Sequence, residues 1–207
     1  MRFVLASQSP ARLRTLRDAG VAPEVIVSDV DEEAIVRDIV ASSGAHPNTA
    51  DTATLLAAAK AAAVANSLDG QALVLGCDSL LELNGESFGK PGSEEDAALR
   101  WQDLSGAVGT LWTGHCLYHR PSSEAIMRTV PTTVHFAHLD ADEIDAYCAT
   151  GEPARVAGGF TIDGLGGWFV ERIEGDHHNV VGLSLPTLRE MLTELGYTLE
   201  DIGYPGS

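Results

Sequence analysis

The chain has 207 residues, 44% of them hydrophobic, enough for one large domain or two closely packed lobes with a sizeable core. A net charge of −17 argues against a broad nucleic-acid surface, which needs clustered Lys and Arg, and no apolar run is long enough to span a membrane. Cys77, Cys116 and Cys148 form no CxxC pair, and no secretory leader opens the chain, so a reducing cytoplasm is the expected compartment.

In chain order, Phe3 to Ala6 reads as a short apolar strand and Ser7 to Ser9 as a hydroxyl-bearing turn. A helix follows, with Ser9 as N-cap, Pro10 as its first residue, Leu13 and Leu16 on an apolar stripe and Gly20 as its stop. Free N–H groups, two serines and the Arg12 guanidinium make this helix start suited to an anion. Glu24 to Val27 reads as a strand, Asp29 to Glu33 as an acidic turn, and Ser42 to Asn48 as a loop. An Ala-rich helix is predicted from about Asp51 to Leu68, then an apolar strand, Ala72 to Leu75, ending at Gly76-Cys77-Asp78. Leu80 to Leu83 and Glu86 to Gly89 flank Asn84-Gly85, the favoured two-residue turn of a hairpin. Ser93 with Asp96 starts a helix that ends near Gly106. Strands are expected around Thr110 to His119, Ile126 to Met127 and Thr132 to Phe136. Asp140 with Glu143 has the pattern of a capping box, opening a helix that ends at Gly151. The Gly-rich stretch from Gly158 to Gly167 precedes apolar Trp168 to Val170, His177-His178 reads as a turn, and a last helix covers about Leu185 to Leu195. The order describes a mixed α/β protein whose hairpin excludes a purely parallel sheet, with no linker long enough to separate independent domains.

Three placements carry chemistry. Asp78 follows an apolar strand, where α/β sheets tend to hold ligands, and can bind a divalent cation or accept a proton from water. If Asn84-Gly85 is a two-residue turn, Leu83 faces Glu86, and counting outward brings Lys90 opposite Ser79 and beside Asp78. Gly89-Lys90-Pro91 is not a P-loop, since the first glycine and the hydroxyl residue of that pattern are missing. Lys60 lies four residues from both Leu56 and Val64 and shares their apolar helix face. Lys60 and Lys90 are the only lysines in the chain. The acidic turn offers further metal ligands, whereas His135 and His138, on opposite faces of a strand, do not make a zinc pair.

Leu5-Ala6-Ser7-Gln8-Ser9-Pro10 with Arg12, Val30-Asp31-Glu32, Ala59-Lys60-Ala61, Gly76-Cys77-Asp78-Ser79 and Gly89-Lys90-Pro91 together resemble the Maf family. Leu104-Ser105-Gly106, Thr113-Gly114, Thr150-Gly151-Glu152-Pro153, Ala157-Gly158-Gly159, Gly175-Asp176 and Asn179 to Leu183 continue the likeness, which spans about Val4 to Leu195. The resemblance implies an elongated mixed sheet flanked by helices, with two lobes around a cleft, as in the Maf and inosine-triphosphatase type of fold, formed by a single domain over residues 1–207. It implies a metal-dependent nucleoside triphosphate pyrophosphatase that cuts between the α and β phosphates, releasing a nucleoside monophosphate and pyrophosphate and clearing non-standard or modified nucleotides. Asp78 takes the family's catalytic position. Ser7, Ser9, Arg12, Lys60 and Lys90 take phosphate-binding positions, and Glu32 joins Asp78 around Mg²⁺ or Mn²⁺. The implied partner is a nucleoside triphosphate, with no nucleic acid and no membrane; a homodimer is compatible with the sequence, although no interface is legible. The other function the resemblance implies is a nucleotide-responsive regulator of septum formation with little turnover.

The chain also departs from the pattern. Ala11 stands where many relatives carry a first arginine, Gly109 replaces a His, and Arg155-Val156 replaces an Asp-Lys pair. A branch acting on thymidine and uridine triphosphates has Thr at the position of Ser79 and Gln at that of Asp163. Ala11, Ser79 and Asp163 are therefore substrate-specificity positions whose base preference stays open.

Overall fold

A computed structural model describes residues 1–206. Its strands are β1 (Phe3–Leu5), β2 (Glu24–Val25), β3 (Leu73–Leu83), β4 (Glu86–Phe88), β5 (Val108–His119), β6 (Glu124–Phe136) and β7 (Val170–Gly175). The helices are α1 (Pro10–Asp18), α2 (Glu32–Ser43), α3 (Thr49–Ser67), α4 (Glu94–Leu104), α5 (Ala141–Cys148), α6 (His177–Val181) and α7 (Leu185–Glu194), with short 3-10 turns between some of them. The strands form one mixed sheet in the order β2-β1-β3-β5-β6-β7, with β4 paired to β3. β1 runs parallel to β2 and β3, while β3–β4 and β6–β7 are antiparallel. None of the described helices is long and apolar enough to cross a membrane.

The chain forms two compact units. The first holds residues 1–78, 113–130 and those from 182 onward; the second holds Ser79–Trp112 and Pro131–Val181. In the first unit, successive side chains of β3 leave the sheet on opposite faces, as the period of a strand requires. Leu73, Leu75 and Cys77 join Leu5, Leu16, Leu117, Leu183 and Met191 in one core. Val74 joins Val4, Ala57, Ala61, Val64 and Cys116 in another. Burial pushes the Cys77 thiol up to about 11 and the Cys116 thiol up to about 12, and neither cysteine is in a disulfide.

The second unit is built around Trp101, which meets Phe136, Tyr147 and Phe169 edge-on and donates its indole N–H to the Gly159 carbonyl at 2.8 Å. The predicted hairpin is present: Leu83 pairs with Glu86, and Asn84 and Gly85 take φ of 53° and 83°, the left-handed pair of a type I′ turn. The Asp140–Glu143 capping box also forms, with both reciprocal bonds made.

Several sequence-based boundaries change. Gly76 does not end the strand; β3 continues through Asp78 to Leu83 as one 11-residue element. Ile126 and Thr132 likewise belong to the single strand β6. Asp31 to Glu33 form a helix start rather than a free turn, because the Asp31 carboxylate accepts the Ala34 N–H and caps α2. That helix has no fully buried residue, although Ile35, Val36, Ile39 and Val40 recur at helical spacing on one half-buried face. His177-His178 open α6, and β7, which extends beyond the apolar Trp168 to Val170 through charged residues, pairs with β6.

A candidate phosphate and metal site

Seven of the sequence-predicted site residues lie in the first unit, and the local fold explains their arrangement. Ser9 caps α1, its hydroxyl accepting the Arg12 N–H at 3.4 Å, with Pro10 as the first helical residue. The Ser9 N–H donates to Ser7 Oγ at 3.2 Å, and Arg12 Nη1 donates to the same oxygen at 3.2 Å. Arg12 Nε donates to the Gly182 carbonyl at 2.7 Å. One edge of the guanidinium is thus fixed by the chain, which orients the group for bidentate anion contact. Gly182 matters to this contact: its φ is +110°, and a Cβ there would lie 3.0 Å from Arg12 Nε. The sequence reading quoted this glycine without giving it a task, and only its place after Asn179-Val180-Val181 could have pointed to it.

The carboxylates are brought together by α3. Glycine at 76 lets this helix lie directly on β3, since a Cβ there would come within 2.2 Å of the Ala57 carbonyl oxygen and 2.8 Å of the Ala61 nitrogen. Gly114 does the same on β5, where a Cβ would approach the Ala53 carbonyl oxygen to 2.3 Å. Val74, Gly76 and Asp78 share the face of β3 that α3 covers, so Lys60 meets Asp78. Its ammonium lies 2.5 Å from Asp78 Oδ1 and 2.7 Å from Glu32 Oε1. The Lys60 and Asp78 side chains are only 12% and 11% exposed, whereas Glu32 is half exposed. Burial pushes the Asp78 carboxyl above the ordinary carboxylate range; Lys60 and Arg12 oppose that shift, and Glu32 adds to it. This arrangement holds a buried carboxylate, a partly exposed one and two cationic groups in one place. Two carboxylates are a sufficient protein ligand set for Mg²⁺ or Mn²⁺, which keep waters and take remaining ligands from phosphates.

The other predicted positions are distributed differently. Ala11 is the second residue of α1, half-buried. Ser79 follows Asp78 on β3 and is buried in the second unit. Lys90, exposed, comes two residues after the last paired residue of β4, because the hairpin ladder stops at Leu81–Phe88. Asp163 is exposed and accepts the Thr161 hydroxyl in the glycine-rich segment. That segment is anchored by Glu152, to which the sequence reading gave no role. Glu152 Oε1 accepts from the Tyr147 hydroxyl at 2.9 Å and the Gly166 N–H at 2.8 Å, and Oε2 accepts the Leu165 N–H at 3.0 Å. His135 contacts Glu174 and Arg172, while the His138 ring lies over Gly106. Among the described residues, the ligating atoms of Asp176, His177 and His178 also lie within 4.8 Å of one another, where Asp176 accepts the His178 N–H that opens α6.

The fold is a mixed α/β protein in which a capped helix start, paired carboxylates and two cationic groups lie in one unit. The chain belongs to the Maf family, whose Maf-like protein model matches residues 2–195. It is 49% identical over 205 residues to a protein of Streptomyces coelicolor named nucleoside triphosphate pyrophosphatase, covering 99% of this chain and 95% of that one. Proteins of the same name from Salinispora tropica and Synechocystis sp. are 48% and 47% identical, covering 100% and 96% of this chain and 89% and 97% of theirs.

Proposed function

We propose that this protein is a nucleoside triphosphate pyrophosphatase that hydrolyses the bond between the α and β phosphates with a divalent metal. The observation that carries the reading is the meeting of Glu32, Lys60 and Asp78 in the unit that also holds the Ser7–Arg12 helix start. The names of its close relatives support the same reaction. Ser7 and the N–H groups at Ser9 would bind phosphate oxygens, and Arg12 would clamp them through the guanidinium edge turned away from Gly182. Glu32 and Asp78 would hold Mg²⁺ or Mn²⁺, which when bound neutralises phosphate charge and polarises the reacting phosphate. Asp78 would take a proton from the attacking water as its oxygen bonds to the α phosphorus. The bond from that phosphorus to the bridging oxygen then breaks, and pyrophosphate leaves. Lys60 and Lys90 would offset charge on the bridging and leaving oxygens, and their loss should cost about 10²–10³-fold in turnover. Ala11, Ser79 and Asp163 are the positions at which base selectivity is to be sought.

The test is pyrophosphate release from a panel of ordinary and modified nucleoside triphosphates with Mg²⁺ or Mn²⁺. Turnover is expected on at least one nucleotide and should be lost in Asp78→Asn. Tight nucleotide binding without turnover anywhere in the panel would overturn the proposal.

A further inference from the structure

The position of the Lys60 ammonium bears on how a cation reaches this site. It touches Asp78 Oδ1 at 2.5 Å and Glu32 Oε1 at 2.7 Å, the same two carboxylates to which the proposed function assigns the metal. Mg²⁺ needs its oxygen ligands at about 2.0–2.1 Å and an octahedral shell around it. An ammonium seated between Asp78 Oδ1 and Glu32 Oε1 therefore competes, by position and by like charge, with a cation for the same carboxylates. The side chain is not a surface lysine that swings into water at no cost. It rises from an Ala-rich helix pressed onto β3 and is 12% exposed, so its head must find another anion when it leaves. A triphosphate supplies that anion.

We infer that Lys60 is an internal counter-ion that offsets half the charge of the carboxylate pair and holds metal affinity low until nucleotide arrives. This rests on the reading of Glu32 and Asp78 as the metal ligands. Metal and nucleotide then bind as one species: the cation takes the carboxylates, and the ammonium transfers to a phosphate oxygen. Because coupling is reciprocal, metal must raise nucleotide affinity by the factor by which nucleotide raises metal affinity. The device also suits a chain of net charge −17, which repels a free triphosphate more than a metal-complexed one.

The experiment measures Mn²⁺ binding by calorimetry and by the loss of the free-ion paramagnetic signal, with no nucleotide present, for the native chain, Lys60→Met and Lys60→Arg. Thermal melts verify that each variant is folded. Met keeps length and volume while removing the charge, so Lys60→Met should bind Mn²⁺ tighter than the native chain by about tenfold or more, even though its turnover falls. Arg keeps the charge, so Lys60→Arg should stay weak. Adding Glu32→Gln to Lys60→Met should abolish the gain. A second titration uses the α,β-methylene analogue of whichever nucleotide the panel turns over, and the native chain should then bind Mn²⁺ tightly. Equal Mn²⁺ affinity in the native chain and Lys60→Met, with tight binding once the analogue is added, would overturn the counter-ion role alone. No Mn²⁺ binding to any form, with or without the analogue, would overturn the metal reading and the counter-ion role with it.

Discussion

Asp78 combines two demands that conflict, because the proposed chemistry wants it ionised while its place beneath α3 disfavours the charge. A carboxyl that holds its proton more tightly folded than unfolded adds most to stability below the unfolded carboxylate pKa. That contribution is lost as pH rises through the folded value. Asparagine imitates the protonated form. Asp78→Asn should therefore lower turnover by about 10²–10⁴-fold while raising the melting temperature at neutral pH. The stabilisation should shrink as pH falls through the raised folded value and vanish only below the unfolded carboxylate pKa of about 3.9, where folded and unfolded states are both protonated. Melting curves across that range decide the matter, and an Asn variant less stable at neutral pH would contradict the account. At this scale the sequence was informative where a residue type implied its own geometry. Ser9-Pro10 specified a cap, and Asn84-Gly85 specified a turn and hence the register. It was silent on Gly182, whose role is a carbonyl contact to a side chain 170 residues earlier.

The helix α3 acts through its smallest residues. Ala57 and Ala61 let it lie against Gly76, and Ala53 against Gly114, which sets the height at which Lys60 leaves the helix. Gly76→Ala should push the helix outward, costing about 1–3 kcal/mol of stability by overpacking, and should reduce turnover beyond what that loss explains. Urea denaturation with kinetics at low denaturant separates the two effects. The 3-10 turn Leu165–Phe169 depends instead on one carboxylate. Glu152→Ala leaves the Leu165 and Gly166 N–H groups without their acceptor and should open the Gly164–Gly167 stretch to limited proteolysis. Glu152→Gln, which keeps an oxygen acceptor, should be intermediate. Elements with a buried stripe or strong caps, such as α3 and α5, were legible in the sequence. The helix α2 was not, because its short half-buried stripe Ile35-Val36-Ile39-Val40 follows an acidic run that reads as a turn, and β7 was hidden by its charged, exposed residues.

For the molecule as a whole, the fold class could be read from the alternation of elements. Of the candidate site, Ser7, Ser9 and Glu32 stand at or just before helix starts, whereas Asp78 and Lys60 lie mid-element and stood out by residue type and by resemblance. The continuity of β3 through Gly76 was not visible, because a glycine that ends a strand and one that admits a neighbouring helix look alike in one dimension. Chelation by EDTA should abolish turnover, and Mg²⁺ or Mn²⁺ should restore it. The far-UV circular dichroism should not change during the cycle, since Lys60 already bridges the two carboxylates. A parallel loss of ellipticity would make the metal a structural group rather than a catalytic one. The buried faces of β3 have one more consequence. Cys77 is the immediate neighbour of Asp78, yet the pleat turns it into the opposite core, where its thiol is held far from the thiolate that oxidants attack. A sulfur one residue from the proposed catalytic carboxylate is thereby kept in its unreactive thiol form. Hydrolysis should proceed at full rate without added thiol and survive micromolar peroxide, leaving the enzyme able to work through an oxidative burst.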